Sequence, residues 1–270
     1  MEQQTPTPLQ TVMNLQGKTA IVTGGALGIG FGIAYRLAEA GANVVIANRT
    51  EDEGKKAADD LVAKGWKAIA VKTDVSVESD VIAMVEKAVA QFGSVDILVN
   101  NAGIFPNIPV MKMTADDFQK VIDINLKGVF HTTKHASEQM NKEGNGGKIL
   151  NITSIDALHP SMVGLDHYDA SKHGLWGFTK NTALELAPHK IWVNAIAPGG
   201  IATPGVAKMQ GPAQAGVDMA KVMEMFMAKI PMHRMGVPDD IGKVALFLAS
   251  EMSSYMTGTQ VVVDGGVLLS

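Results

Sequence analysis

Seven short apolar runs, each parted from the next by a stretch with helical periodicity, constrain this chain more than any other feature. They lie at residues 19–22, 43–47, 68–72, 96–99, 148–152, 191–197 and 259–263. Valine, isoleucine and alanine dominate them, the composition of strands covered on both faces. Between them run helical segments at 29–40, 51–64, 77–92, 114–140 and 165–187, with a last one opening at Pro238–Asp239–Asp240. Strict strand–helix alternation predicts an α/β fold with one doubly wound parallel sheet of about seven strands and helices on both faces. Without an internal repeat or a linker, residues 15–270 read as a single domain. Residues 1–14, polar and proline-bearing, read as a flexible extension.

Composition narrows the function. Apolar residues make up 46% of the 270, enough for a large core. A net charge of −4 gives no electrostatic footprint for nucleic acid. The chain has no cysteine, which excludes disulfides, thiolate metal sites and cysteine nucleophiles. The first residues contain no apolar signal-peptide core, and no apolar run reaches membrane-span length. The expected setting is the cytoplasm, with no membrane partner and no bound metal.

Glycines cluster where the first strand meets the first long helix, in Thr23–Gly24–Gly25–Ala26–Leu27–Gly28–Ile29–Gly30. They allow a tight turn and a close backbone approach. The N–H groups and dipole of the helix start then suit the pyrophosphate of a dinucleotide, the alternative being an ordinary strand-to-helix turn; the G-x-x-x-G-x-G spacing differs from the six-residue Rossmann fingerprint. Beyond the second strand, Asn48 stands where an acid would bind ribose hydroxyls, and Arg49 follows it. An uncharged residue and a planar cation favour a 2′-phosphate, hence NADP over NAD. Asp74 and Val75 follow the third strand, with Ser76 available as a helix cap. Asn100–Asn101–Ala102–Gly103 ends the fourth, at the rim where open α/β sheets bind ligands.

Tyr168 and Lys172 are four apart on one helix and share a face. A phenol beside a cation is a proton-transfer group, because the cation favours the phenolate. Bringing a phenol from its ordinary value of about 10 to neutrality takes about 4 kcal/mol. Ser154, at the end of the fifth strand, sits at the same rim; its hydroxyl can bond a substrate oxygen or simply cap a turn. Asn125 falls in mid-helix, where it bonds a neighbouring carbonyl or holds a water. His131 and His135 lack the glutamate of a zinc-protease helix and read as structural or solvent-facing. Leu175, Phe178, Leu184 and Leu186 require burial in the core or against another subunit. Met209, Met219, Met223, Met225, Met227, Met232 and Met235 suit an adaptable cover over residues 203–235, or plain core packing.

In their order along the chain, these motifs resemble the short-chain dehydrogenase/reductase family from about residue 15 to 266. The resemblance implies a hydride-transferring oxidoreductase acting on a carbonyl or secondary alcohol. It makes Tyr168 the general acid/base, Ser154 the group orienting the substrate oxygen, and Lys172 the residue that lowers the phenol pKa and binds the nicotinamide ribose. Asn125 holds a relay water. By the same resemblance Gly24, Leu27, Gly28, Ile29, Gly30, Asn48, Arg49, Asp74, Val75, Asn100, Ala102 and Gly103 contact the cofactor. So do Tyr168, Lys172, Pro198, Gly199, Ile201 and Thr203, with Asp74 at the adenine amino group. Two departures stand out: the 154–168 segment is one residue longer than is usual, and Ala26 and Leu27 stand where some NADP users carry a basic residue. NAD remains possible, as do an NAD-linked sugar or polyol dehydrogenase and a silent dinucleotide-binding regulator. Asp156, His159 and His167 suit a polar substrate, and the resemblance implies a homotetramer.

Overall fold

A computed structural model describes residues 6–205 and 227–270. Seven strands form one sheet: β1 Thr19–Thr23, β2 Asn43–Asn48, β3 Ala68–Lys72, β4 Ile97–Asn100, β5 Gly147–Ile152, β6 Ile191–Pro198 and β7 Gln260–Val263. Their order is β3-β2-β1-β4-β5-β6-β7, and every pairing is parallel. Each expected strand is present to within one or two residues. β1 pairs with both β2 and β4, so the direction of winding reverses there and a crevice opens beyond the strand ends.

The α-helices that lie wholly within the described residues are α1 Leu9–Val12, α2 Gly28–Glu39, α3 Glu51–Val62, α4 Glu78–Phe92, α5 Ala115–Ile122, α6 Gly128–Glu143, α7 Asp166–Leu186 and α8 Pro238–Ala249. One face of the sheet buries Ile33, Leu37, Ile46 and Leu248, and the other buries Met84, Ala136, Met140 and Ala183. Each such large aliphatic side chain contributes about 1.5–3 kcal/mol of burial. α2 and α8 meet backbone to backbone: a Cβ on Gly242 would lie 2.5 Å from the Gly32 carbonyl. Arg36 of α2 also pairs with Asp239 of α8. Together these contacts hold α2, and with it the glycine loop, against the sheet.

Three expectations change. Ser76 caps nothing: α4 starts at Glu78 after Val77, and the Ser76 hydroxyl donates to Asp74 at 2.6 Å. The 114–140 helix runs without a break from Ala115 to Glu143, but its pitch changes on the way in a π-helical turn, Asp123–Lys127, between α5 and α6. A short helix, α1, forms inside the extension. Leu184 is 79% exposed on the single chain, which leaves for it the expected alternative of burial against another subunit, while Leu175 of the same helix is buried in the core. Met209, Met219, Met223 and Met225 of the expected cover lie outside the described residues.

Candidate active site

The glycine loop is shaped by backbone that side chains cannot follow. Gly24 and Gly28 have φ of +61° and +55°, the left-handed region. A Cβ on Gly30 would stand 2.2 Å from the Gly24 carbonyl oxygen. No side chain caps the start of α2 at Leu27, which leaves the first-turn N–H groups to a ligand. The loop is tied to β4 through Thr23, whose hydroxyl accepts from the N–H groups of Asn101 and Ala102 at 3.0 and 3.1 Å. Asn101 returns its amide to the carbonyls of Thr23 and Gly24.

Beyond the strand ends lies a cleft of about 880 Å³. Leu27, Gly28, Ile29 and Gly30 form one wall. Ser154, Tyr168 and Lys172 come from β5 and α7, and Pro198, Gly199, Ile201 and Thr203 from the turn after β6. A second recess of about 190 Å³ adds Asn48, Asp74 and Val75, with Gly24, Arg49, Glu53, Ala102 and Gly103 among the residues shared between the two. Asn100 is the expected cofactor contact that does not line either space. Its side chain points into the interior, donating to Thr133 and Asn151 and accepting from Thr132. Strand alternation turns Asn100 inward and hands the rim to Asn101.

Lys172 is buried, and its ammonium donates to the Ile152 carbonyl at 2.7 Å while standing 5.5 Å from the Tyr168 ring centroid. Loss of solvent lowers its pKa to about 8, with the Asp156 charge opposing. The phenol of Tyr168 departs from expectation. Burial holds it above its ordinary value; the hydrogen bond with Ser154 opposes this, and the charges of Asp156 and Asp169 add to it. Desolvation is thus the largest influence on the phenol.

Ser154 caps a turn and also lines the cleft. It accepts from the Asp156 N–H at 3.1 Å, starting the 3-10 turn Ile155–Ala157, and donates to the Asp156 carboxylate at 2.7 Å. Asn125 sits on the π-helical turn and clamps the backbone of Ile104, accepting from its N–H and donating to its carbonyl, each at 2.8 Å. Its amide also reaches Ser171 at 3.1 Å. These are the neighbouring-backbone bonds of the simpler reading.

Of the polar residues expected beside the substrate, only Asp156 lines the cleft. His159 is exposed, and His167 is buried, accepting the Tyr168 N–H. His131 donates from Nδ1 to the Val75 carbonyl at 3.2 Å, and His135 bonds Glu78. No acidic or histidine cluster suited to a metal occurs among the described residues. Glu53 was missed: Asn48 donates to it at 3.3 Å, which brings a carboxylate to the recess that Arg49 borders. Its place on the first turn of α3, five residues after Asn48, was the available signal.

The residues present fit a dinucleotide. The loop is a cradle that a Cβ on Gly30 would fill, the helix start offers free donors, and the recess beyond β2 is polar. Fold and site together define a dinucleotide-dependent oxidoreductase. The comparisons carry this further. A family model described as "Enoyl-(Acyl carrier protein) reductase" matches residues 24–268. A 2-dehydro-3-deoxy-D-gluconate 5-dehydrogenase of Dickeya dadantii is 40% identical, covering 94% of this chain and 97% of its own. A 3-oxoacyl-[acyl-carrier-protein] reductase of Thermotoga maritima is 38% identical over 95% of this chain and 100% of its own. A gluconate 5-dehydrogenase of Burkholderia cenocepacia, solved with NADP and tartrate, superposes with a TM-score of 0.88 at 32% identity, covering 97% of this chain and 100% of that one. The chain belongs to the short-chain dehydrogenase/reductase family, and it is an oxidoreductase acting on CH–OH and carbonyl groups.

Proposed function

We propose that this enzyme interconverts a carbonyl and a secondary alcohol with NADP(H), using Tyr168 as general acid/base. The observation that carries the reading is the meeting of Tyr168, Ser154 and Lys172 around one cleft with the glycine loop. The bound nicotinamide supplies or accepts the hydride. Tyr168, held as a neutral phenol by burial, donates a proton to the oxygen that gains charge in reduction. Ser154 is a second polar group beside that oxygen. Lys172, anchored on Ile152, places its remaining N–H donors toward the nicotinamide ribose and compensates charge at the phenol. Asn125 holds Ile104, and a relay water beside Lys172 is part of the same proposal.

NADP is supported by the exposed Arg49, which no ion pair engages among the described residues, and by the NADP in the Burkholderia structure. One observation favours the NAD alternative: Glu53 reaches the recess and would accept from free ribose hydroxyls. The substrate is a small polar secondary alcohol, in keeping with Asp156 and Ser161 at the cleft and with the sugar-acid names among the relatives. Phe105 and Met162 supply the apolar part of the wall. The enzyme works in the cytoplasm as a homotetramer, with Leu184 of α7 covered by a neighbour. No helix among the described residues is long and apolar enough to cross a membrane. The test is a panel of cyclohexanone, 5-keto-D-gluconate and a steroid ketone, each with NADPH and NADH, beside Tyr168→Phe. Turnover that survives in Tyr168→Phe overturns the reading.

A further inference from the structure

We propose that Asp156 is a positioning residue: by taking the Ser154 proton, it orients the Tyr168–Ser154–Asp156 chain so that the site binds the alcohol form of its substrate more tightly than the ketone form. The inference rests on the reading of Tyr168 and Ser154 given above and goes beyond it to a residue outside that machinery.

Ser154 has one proton and two claimants. The Asp156 carboxylate lies at 2.7 Å, and the Tyr168 phenol lines the same cleft as Ser154, whose hydroxyl favours the phenolate against burial. A charged acceptor makes the stronger bond, roughly twice a neutral one. While the phenol is neutral, the proton therefore goes to Asp156, and Tyr168 donates to the serine oxygen. The serine oxygen also accepts the Asp156 N–H at 3.1 Å, which fills its two acceptor positions. Every proton in the chain runs toward Asp156. The carboxylate itself is buried, 5% exposed, and its other oxygen accepts the Ser161 N–H at 2.9 Å, so it cannot swing away.

A substrate oxygen enters between the phenol and the serine. An alcohol can accept from Tyr168 and donate to Ser154, continuing the chain in its own sense. A carbonyl has no proton to pass on. It meets a serine lone pair unless Ser154 breaks its charge-assisted bond with Asp156. The discrimination is between two bound forms and leaves the overall equilibrium of the reaction unchanged.

Asp156→Asn tests this with little change of shape. The Ser161 N–H keeps the amide oxygen on its own side, so the amide nitrogen faces Ser154 and donates to it. The serine proton is then released toward the substrate. KM and kcat are measured in both directions on the panel ketone turned over fastest and its alcohol, with cyclohexanone and cyclohexanol as the reference pair. The expected result is a fall in ketone KM and a rise in alcohol KM, moving their ratio by about tenfold or more. Asp156→Glu, which keeps the carboxylate, should stay near the unmodified ratio. In a Ser154→Ala background, Asp156→Asn should move the ratio no further.

The pH profile gives a second readout. The charged groups facing the phenol are Lys172 and Asp169 on its own helix and Asp156 from the 3-10 turn. Removing the Asp156 charge moves the acid limb of alcohol oxidation to lower pH. Equal changes in both KM values, or a shift of the ratio in the other direction, overturn the proposal. Should Asp156→Asn not fold, Ser154→Ala alone decides: it must raise the alcohol KM more than the ketone KM. Absence of turnover on the whole panel by the unmodified enzyme strikes the functional reading instead, and so the two failures are separable.

Discussion

The Lys172 ammonium donates to the Ile152 carbonyl at 2.7 Å and lies 5.5 Å from the centroid of the Tyr168 ring. The end of β5 thus anchors the cation that α7 carries. Lys172 and Tyr168 are presented by one helix, and the anchor sets how far the cation can move from the phenol. Replacing Tyr168 by Phe keeps the ring and removes the proton. The expected loss in kcat is about 10²–10⁴-fold, the usual worth of a general acid/base. NADPH binding, followed by its fluorescence, should change little. Retained kcat would remove the phenol from the chemistry.

Gly30→Ala should damage both stability and cofactor binding. Its Cβ would stand 2.2 Å from the Gly24 oxygen and 2.5 Å from the Asn101 amide nitrogen, so the loop must open. Overpacking of this kind costs about 1–3 kcal/mol. Thermal melts with and without NADPH should show a lower Tm and a smaller ligand-induced rise. An undiminished rise would show that the loop does not receive the dinucleotide.

Arg49 and Glu53 border the same recess with opposite charges. Arg49→Asp should weaken NADPH binding by about tenfold or more, the scale of one lost charge-assisted contact, and leave NADH nearly unchanged. Glu53→Gln should do the reverse, strengthening NADPH relative to NADH. Titration of both cofactors against both variants decides it. A parallel change in both affinities would take the two residues out of cofactor selection.

Asp169 supplies a pH-dependent stability prediction. One of its carboxylate oxygens is buried without a hydrogen-bond partner. Burial first, then the charges of Asp156 and Asp166, raise its pKa to about 6, with His173 opposing. A carboxyl raised in the folded state binds more protons there than in the unfolded chain. Its favourable contribution is complete below the ordinary value of 3.8 and is lost as pH rises through 6. Asp169→Asn should therefore raise Tm at pH 8, on the order of 2–4 °C, which is what 1 kcal/mol produces in a chain of this size. The gain should shrink at pH 5. A lower Tm at pH 8 would mean that the charge has a partner in the assembled protein.

Legibility in the sequence followed the range of the interaction. The strands, α2 and α7 were readable because period and glycine spacing act within a few residues. Tyr168 and Lys172 were readable as a pair for the same reason, since one helical turn brings them together. Asn100 and Asn101 were harder: both are polar, and only the pairing of β4 with β1 and β5 decides which of them turns to the rim.

The sequence by itself determined a parallel α/β sheet, a glycine-rich strand-to-helix loop and a tyrosine–lysine pair. Each of these is written in neighbouring residues and in backbone conformations open only to glycine. The tertiary structure alone decided that Asp156 takes the Ser154 proton, that Glu53 shares the recess with Arg49, and that the free phenol lies above its ordinary pKa. Those outcomes depend on desolvation and on which groups face each other once the chain has packed, and neither quantity is local.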